Sequence, residues 1–238
     1  LPAPASPAPP VPASADIGVP GATPFVTGNA DFYRIDTALL APRVDPGDWS
    51  LTIDGDVPDG FTIDIDELLA LPMVERDITL NCVSNEVGGP YVGNARWLGF
   101  PMRDILSRAG VATDADMLLS TSVDGWTSGT PIDALTDGRD AMLVIGMNGE
   151  PLPVVHGAPV RVVVPGYVGA RSVKWLRGIT VRADPSENYF QATAYRVLPP
   201  EADPDHAGPG DGISLGSVAL NCDILSPEEH EHVPDGPV

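Results

Sequence analysis

Short segments of alternating or β-branched residues, separated by proline and glycine, dominate this chain and limit the folds open to it. Residues 49–55 (WSLTIDG) and 74–82 (VERDITLNC) alternate apolar and polar side chains, which predicts half-buried strands. Residues 158–166 and 172–182 are rich in β-branched side chains and predict two more. Residues 101–110 begin with proline and end with glycine, which predicts a short helix. We therefore expect an α+β fold of mainly β sheets with short helices, and not a doubly wound one.

Further segments extend this outline. Strand character is also found at residues 61–72, where it runs into a short helix, and at 116–123, 141–152 and 213–227. The short helix within residues 61–72 should stop before Pro72, because the residue before a proline avoids the helical conformation. Asn148 and Gly149 form a dipeptide that strongly indicates a hairpin turn. Cys222 falls in the last of these segments, so we expect it to be a buried strand residue.

Composition divides the chain into three parts. Residues 1–30 are rich in proline and alanine and predict an extended linker. Residues 31–183 hold nearly all the patterned segments and should form the compact domain. Residues 184–238 return to proline, aspartate and glycine, which predicts an extended C-terminal segment. Linkers of this kind often follow a signal sequence or a membrane anchor, so we expect the chain to be part of a longer protein.

The charge of the chain is strongly negative. Thirteen lysine and arginine residues face 33 acidic residues, which gives a formal net charge of -20 at pH 7. A nucleic-acid partner needs a cationic surface to neutralise its phosphates, and an anionic membrane surface attracts cationic segments. Both classes of partner are therefore excluded by composition.

One stretch departs from this acidity. Residues 151–183 contain no acidic residue, and they hold His156 together with the cations Arg161, Arg171, Lys174, Arg177 and Arg182. Guanidinium groups beside glycine-rich turns are suited to holding a phosphate. A solvated cationic face would show the same pattern. The residues alone leave both interpretations open.

Cys82 ends a predicted strand and begins a loop of turn residues. A lone cysteine is most often a small buried apolar residue, and this remains one interpretation. The functional alternatives are a nucleophile or a soft metal ligand. One thiolate cannot form a structural zinc site by itself. It can serve a metal whose other ligands come from a cofactor.

Four stretches of the chain resemble a known family. Residues 147–176 (MNGEPLPVVHGAPVRVVVPGYVGARSVKWL) resemble the signature of the sulfite oxidase family of molybdopterin-dependent oxidoreductases, especially its bacterial extracytoplasmic members. The likeness extends to residues 32–55, 80–85 (LNCVSN) and 93–106 (GNARWLGFPMRDIL), and so covers roughly 31–183. It implies a sulfite-oxidase-type molybdopterin-binding domain with mixed, mainly-β sheets.

The resemblance also implies a site. Molybdenum would be held by one pyranopterin in its non-dinucleotide form, with Cys82 as the protein thiolate. Cys82, Trp126 and Arg34 take the catalytic positions. The cofactor-binding positions fall on Phe32, Tyr33, Arg34, Ile35, Asp36, Asp124, His156, Arg161, Arg171, Ser172, Val173 and Lys174. The implied chemistry is a two-electron oxygen-atom transfer.

Three positions depart from the pattern of sulfite oxidases. Asn85 is followed by Glu86, where the family has arginines, and an acid there would repel an anionic substrate. Trp126 stands where the family has a tyrosine, so the phenol is lost. Ile35 and Asp36 follow Arg34 where the family has asparagine and histidine. These changes argue against sulfite as the substrate.

The resemblance leaves several functions to compare. The leading one is an extracytoplasmic oxidoreductase acting on a sulfoxide or another small oxo compound. The alternatives are a sulfite dehydrogenase and a non-catalytic binding module with the family fold. The chain has no haem-attachment motif, so electrons would pass to a separate redox partner such as a cytochrome or a membrane haem protein. A membrane tether before residue 1 would be compatible with this. Residues 184–238 resemble the run into the family's immunoglobulin-like domain.

Overall fold

The protein was analysed as a computed structural model, which describes residues 1–19, 21–111, 115–208, 210–220, 222, 224–227 and 232. Two five-stranded sheets form its framework. The first sheet has the strand order β2 (Phe61–Asp64), β1 (Ser50–Gly55), β10 (Leu176–Arg182), β5 (Met117–Ser122) and β6 (Thr127–Pro131). Strand β10 pairs parallel with β1 and antiparallel with β5, so the sheet is mixed.

The second sheet is antiparallel. It consists of β3 (Val74–Asn81), β4 (Val92–Pro101), β7 (Met142–Met147), β8 (Glu150–Pro151) and β9 (Arg161–Val163), with β9 paired to β7. The turn between β7 and β8 has Asn148 and Gly149 at φ 53° and 80°, the left-handed conformations of a two-residue hairpin. The hairpin prediction is therefore confirmed.

Three short α-helices connect the strands: α1 (Ile65–Leu69), α2 (Met102–Ala109) and α3 (Ile132–Thr136). Helix α1 starts at Asp64, whose side chain accepts from the Glu67 backbone in a capping box. Helix α2 ends at Gly110 in the left-handed conformation, as its glycine predicts. Within the described ranges, no helix is long and apolar enough to cross a membrane.

The structure shortens three predicted strands and contains three that were not predicted: β4, β6 and β11 (Arg196–Val197). Among the described residues, the segment at 213–227 is a strand only over Ile213–Ser214. The segment at 158–166 is a strand only over Arg161–Val163, because Pro159 and Pro165 on either side have no backbone N–H to pair. The segment at 172–182 becomes a strand only at Leu176, after Trp175 turns at a φ of 48°. Strand β4 was not predicted, because its glycines and proline read as breakers.

Strand β4 needs those glycines for close packing. A Cβ at Gly93 would lie 2.7 Å from the Phe32 ring, so this ring rests directly on the strand backbone. Phe32 also packs edge-on against Trp97, with ring centroids 5.6 Å apart. A cluster of buried apolar side chains forms around Phe32 and Trp97. This cluster fixes the chain on either side of Phe32 above the sheet.

Both terminal parts of the chain contact this framework. Ser6 forms a parallel bridge with Val74 at the edge of β3, and Arg96 donates to the Pro9 carbonyl at 2.7 Å. The segment after residue 183 forms a π-helical turn, Phe190–Ala194, and a two-stranded ribbon of β11 (Arg196–Val197) and β12 (Ile213–Ser214). The predicted burial of Cys222 was wrong, since Cys222 is exposed.

Candidate active site

A cavity of about 290 Å³ opens where the ends of the two sheets meet. It is bounded by the chain around Tyr33, the loop after β3, the β5–β6 turn, and residues 169–175 before β10. Twelve of the predicted site residues line it: Phe32, Tyr33, Ile35, Asp36, Cys82, Asp124, Trp126, His156, Arg161, Ser172, Val173 and Lys174. The structure thus brings together residues that are up to 142 positions apart, from Phe32 to Lys174.

Cys82 lies directly after β3 and is half-buried. Its backbone N–H donates to the Tyr91 carbonyl at 2.9 Å, and its carbonyl accepts from Asn85 at 3.1 Å. The Asn85 side chain accepts in turn from the Tyr91 backbone at 2.7 Å. These bonds close the loop into a tight turn and hold the thiol at the cavity wall.

Arg161 is a buried cation without a carboxylate partner among its hydrogen bonds. It is 5% exposed, and its guanidinium donates to the carbonyls of His156 at 3.0 Å, Ser172 at 2.8 Å and Val162 at 3.3 Å. Burial lowers the pKa of Arg161 to about 10. Three backbone carbonyls accept from it and the Trp97 ring lies 5.3 Å away, but no carboxylate pairs with it among the described residues. An anion bound in the cavity would supply the missing charge.

His156 is fixed in orientation beside Arg161. Its Nε2 lies 2.8 Å from the Asn29 carbonyl, which can only accept, so Nε2 carries the proton. Burial lowers the pKa of His156, which favours the neutral ring. The ring packs edge-on against Phe32, with centroids 5.6 Å apart. Its Nδ1 is then left as an acceptor.

Lys174 is the only lysine of the sequence, and it lines the cavity. Its ammonium donates to the Ile35 carbonyl at 3.1 Å and contacts the carboxylate of Asp36. Burial, and after it the charge of Arg34, lower the pKa of Lys174 to about 7, while the Asp36 contact favours the charged form. Gly157 lies so close that an added Cβ would be 3.0 Å from the Lys174 Cα.

Arg34 and Arg171 lie apart from the twelve. Arg34 is partly exposed and pairs with Asp36 at the cavity edge. Arg171 points away from the cavity, and its guanidinium donates to the carbonyls of Gly129 and Leu215, both at 2.6 Å. The predicted phosphate contact by the Arg171 side chain does not fit this geometry. The sequence shows that an arginine stands in the acid-free window, but not which way its side chain points.

Two of the lining residues that were not predicted come from outside the predicted domain of 31–183. These are Phe190 and Tyr195 of the C-terminal segment. The Phe190 ring packs on Trp126 at 4.5 Å and on Tyr195 at 5.2 Å between centroids. Burial, and after it the Cys82 thiol, raise the pKa of Tyr195. The run NYFQATAY, with three aromatic residues in a proline-rich segment, was the available signal.

One predicted departure does not reach the site. Glu86 is exposed and is absent from the described cavity lining, so it does not act on a substrate there by contact. Ile35, Asp36 and Trp126, the other departures, all line the cavity.

This geometry defines an α+β domain with a thiol and a group of cations around one ligand-sized cavity. The family model described as oxidoreductase molybdopterin binding domain matches residues 38–190, and the chain belongs to this family, whose sulfite oxidase members it resembles. It is 32% identical to the mitochondrial sulfite oxidase of Macaca fascicularis over 90% of this chain and 44% of that one. It is 33% identical to nitrate reductase [NADH] 1 of Oryza sativa subsp. japonica over 77% of this chain and 23% of that one.

A solved structure supports the same assignment. The sulfane dehydrogenase SoxCD from Paracoccus pantotrophus superposes with a TM-score of 0.68 at 25% identity, covering 79% of this chain and 50% of that one. The α+β prediction and the family resemblance are confirmed. The chain spans less than half the length of the curated relatives compared here.

Proposed function

We propose that this chain is the catalytic domain of a molybdenum-pterin oxidoreductase that transfers an oxygen atom to or from a small, sulfur-containing substrate. The observation that carries the proposal is the convergence of Cys82, His156, Arg161 and Lys174 on one cavity. A thiol and three cationic or proton-bearing groups match the two parts of such a cofactor, its soft metal and its phosphate.

Arg161 would hold the anionic part of the cofactor. Its buried charge has carbonyl partners only, so a phosphate lowers the cost of keeping a guanidinium in this place. Because three carbonyls fix the guanidinium plane, little side-chain entropy is lost when an anion binds. Arg161 therefore acts as a fixed anchor.

Lys174 and His156 would complete the anchor. An anion near Lys174 favours its protonated form and raises its pKa above the value of about 7 in the free protein. Lys174 then exchanges part of its contact with Asp36 for the phosphate. His156, with Nε2–H held by Asn29, offers Nδ1 as an acceptor to a pterin N–H.

Cys82 would bind the metal as a thiolate. One thiolate leaves most ligand positions of the metal to the cofactor, so the donor set on this chain fits a pterin dithiolene. When bound, the cofactor supplies the two-electron redox chemistry of oxygen-atom transfer. The cavity of about 290 Å³ is at the small end of ligand sites, which supports one pyranopterin without an added nucleotide.

The remaining parts of the proposal concern partners and location. Electrons would be exchanged with a separate protein, such as a cytochrome or a membrane haem protein. Location outside the cytoplasm, with a tether to a membrane, is supported by the resemblance to extracytoplasmic members and by the proline-rich residues 1–30.

Two cysteine variants test the proposal. Protein from a host that makes the pterin should contain about one molybdenum per chain and show activity with a viologen donor or a ferricyanide acceptor. Cys82→Ser should abolish this activity and leave the fold intact. Cys222→Ser is the matched control, because Cys222 is exposed and should have no effect. Wild-type protein free of molybdenum would instead support a non-catalytic binding module.

Sulfite is a second candidate substrate, because the relatives include sulfite oxidases. The two assays separate the candidates. Turnover only with sulfite and ferricyanide would establish a sulfite dehydrogenase, while turnover of a sulfoxide with reduced viologen would establish a reductase.

A further inference from the structure

Two different sets of side chains line the cavity. The cations Arg161 and Lys174 and the neutral His156 form the set assigned above to the cofactor. The other set is aromatic and consists of Trp126, Phe190 and Tyr195, which contact one another in a row. None of the cofactor contacts proposed above involves the aromatic set.

The C-terminal residues of the aromatic set are fixed in position by polar bonds. Gln191 exchanges two hydrogen bonds with the Gly129 backbone, of which the one from Nε2 to the carbonyl is 3.1 Å. Asn188 donates to the Thr127 hydroxyl at 2.7 Å. Both contacts hold the segment against β6, next to Trp126. The aromatic set, called the aromatic wall below, is therefore preorganised and does not need to form when a ligand binds.

Arg196 fixes the other end of the segment. Its guanidinium donates to four backbone carbonyls: those of Gln191 at 3.1 Å, Gly210 at 2.7 Å, Gly212 at 2.6 Å and Asp211 at 2.5 Å. Tyr195 is the residue immediately before it, and its own carbonyl accepts from Leu215 at 2.8 Å. The position of the Tyr195 ring is thus set by the ribbon that follows it.

The chemistry of this wall disfavours an anion. Aromatic rings offer apolar surface and edge contacts, and Asp124 adds a carboxylate whose oxygen accepts from the Trp126 backbone at 3.0 Å. A second negative charge beside that carboxylate would be repelled. The Tyr195 hydroxyl, in contrast, provides a neutral hydrogen-bond donor for an oxo group.

We propose that Phe190 and Tyr195 determine substrate specificity by selecting an uncharged oxo compound with an apolar substituent, whose oxygen accepts a hydrogen bond from the Tyr195 hydroxyl. This rests on the proposed function, since it assigns the aromatic wall to the substrate of that same site. It places one of the two determinants, Tyr195, beyond residue 190, where the family match ends.

Calorimetric titration tests this directly. Methyl phenyl sulfoxide is the neutral probe and sulfite is the anionic one, each titrated into molybdenum-loaded protein and into cofactor-free protein. We expect the sulfoxide to bind more tightly than sulfite to the molybdenum-loaded protein, in which the cofactor would occupy Arg161 and Lys174. Tyr195→Phe should weaken sulfoxide binding by roughly threefold to tenfold, the loss of one hydrogen bond, and raise KM more than it lowers kcat. Phe190→Ala should weaken it further. Neither should alter molybdenum content.

Tyr189→Phe is the control, because Tyr189 is 62% exposed and is not among the described lining residues. It should bind the sulfoxide as the wild type does. Wild-type affinity for the sulfoxide in Tyr195→Phe, or tighter binding of sulfite than of the sulfoxide to the molybdenum-loaded protein, would overturn the assignment. Absence of molybdenum in the wild type would refute the proposed function alone, since titration of the cofactor-free protein still decides the role of the wall.

Discussion

Lys174 and Asp36 form an ion pair at the cavity in which the two side chains are 14% and 5% exposed. Neither residue lies in a helix or strand; the pair joins the chain after Phe32 to the bend before β10. A carboxylate so close to the proposed phosphate position keeps the lysine compensated while the cavity holds only water. In the free protein Lys174 would pair with Asp36 alone, and in the loaded protein it would share this contact with the proposed phosphate.

The free protein should gain stability as pH rises from 7 towards 10.5. The folded pKa of Lys174 is lowered to about 7, so across this window the unfolded chain holds the proton more tightly than the folded one. The penalty is complete below pH 7 and disappears as pH approaches 10.5. Lys174→Met removes the titrating group and leaves Asp36 with Arg34 as its partner, so the wild type should gain about 1 to 3 kcal/mol in unfolding free energy relative to the variant between pH 6 and pH 10. Urea unfolding of cofactor-free protein at several pH values measures this, and a pH-independent difference would contradict it.

Arg161→Met should separate cofactor binding from folding. The variant removes a buried charge but also leaves the His156 and Ser172 carbonyls without this donor, so the cofactor-free protein should lose about 1 to 3 kcal/mol in unfolding free energy and still fold. Molybdenum and pterin content should fall at least tenfold, because the fixed anion anchor is gone. Metal analysis and thermal unfolding check the two halves separately. Full cofactor content in Arg161→Met would disprove the anchor.

Arg171→Ala should have the opposite profile. The guanidinium joins the Gly129 and Leu215 carbonyls, and its loss leaves the Leu215 carbonyl without this donor and the Gly129 carbonyl with only the Gln191 amide. We expect a loss of about 2 to 4 kcal/mol in unfolding free energy, with cofactor content per folded molecule unchanged. Arg177→Ala, on the exposed face of β10, is the matched control and should change neither quantity.

Gly157→Ala should damage the site through backbone packing. Gly157 has a φ of 111°, and an added Cβ would lie 2.9 Å from the Lys174 Cβ, so Lys174 must move. We expect a loss of more than about 2 kcal/mol and reduced cofactor retention. Gly149→Ala is the control, because it also has a positive φ of 80° but nothing within 4 Å. That variant should lose only about 1 kcal/mol and retain the cofactor.

Local sequence signals predicted the elements whose cause is local. The helix over Met102–Ala109 and the hairpin at Asn148-Gly149 follow from proline, glycine and asparagine at fixed positions, so periodicity and turn chemistry found both. Strand β4 was missed because glycine is needed there by a residue far away in the sequence: the Phe32 ring lies on Gly93.

The site was predictable to the extent that residue type decides it. Family resemblance located Cys82, His156 and Lys174, and the structure places all three on one cavity. The direction of the Arg171 side chain depends on carbonyls of β6 and of the ribbon, which no local pattern encodes. Tyr195 was missed for a similar reason, because side-chain bonds to backbone carbonyls hold its segment without any hydrophobic period.

The clamp that Arg196 forms on four carbonyls has a consequence for how such a domain can diversify. The four hydrogen bonds of this one side chain hold the ribbon after residue 195 in a single arrangement. Aromatic residues held by that ribbon can be exchanged while Arg161, His156 and Cys82 stay where they are. Under the proposed function, the residues that would hold the cofactor and those that would meet the substrate therefore lie in different stretches of the chain.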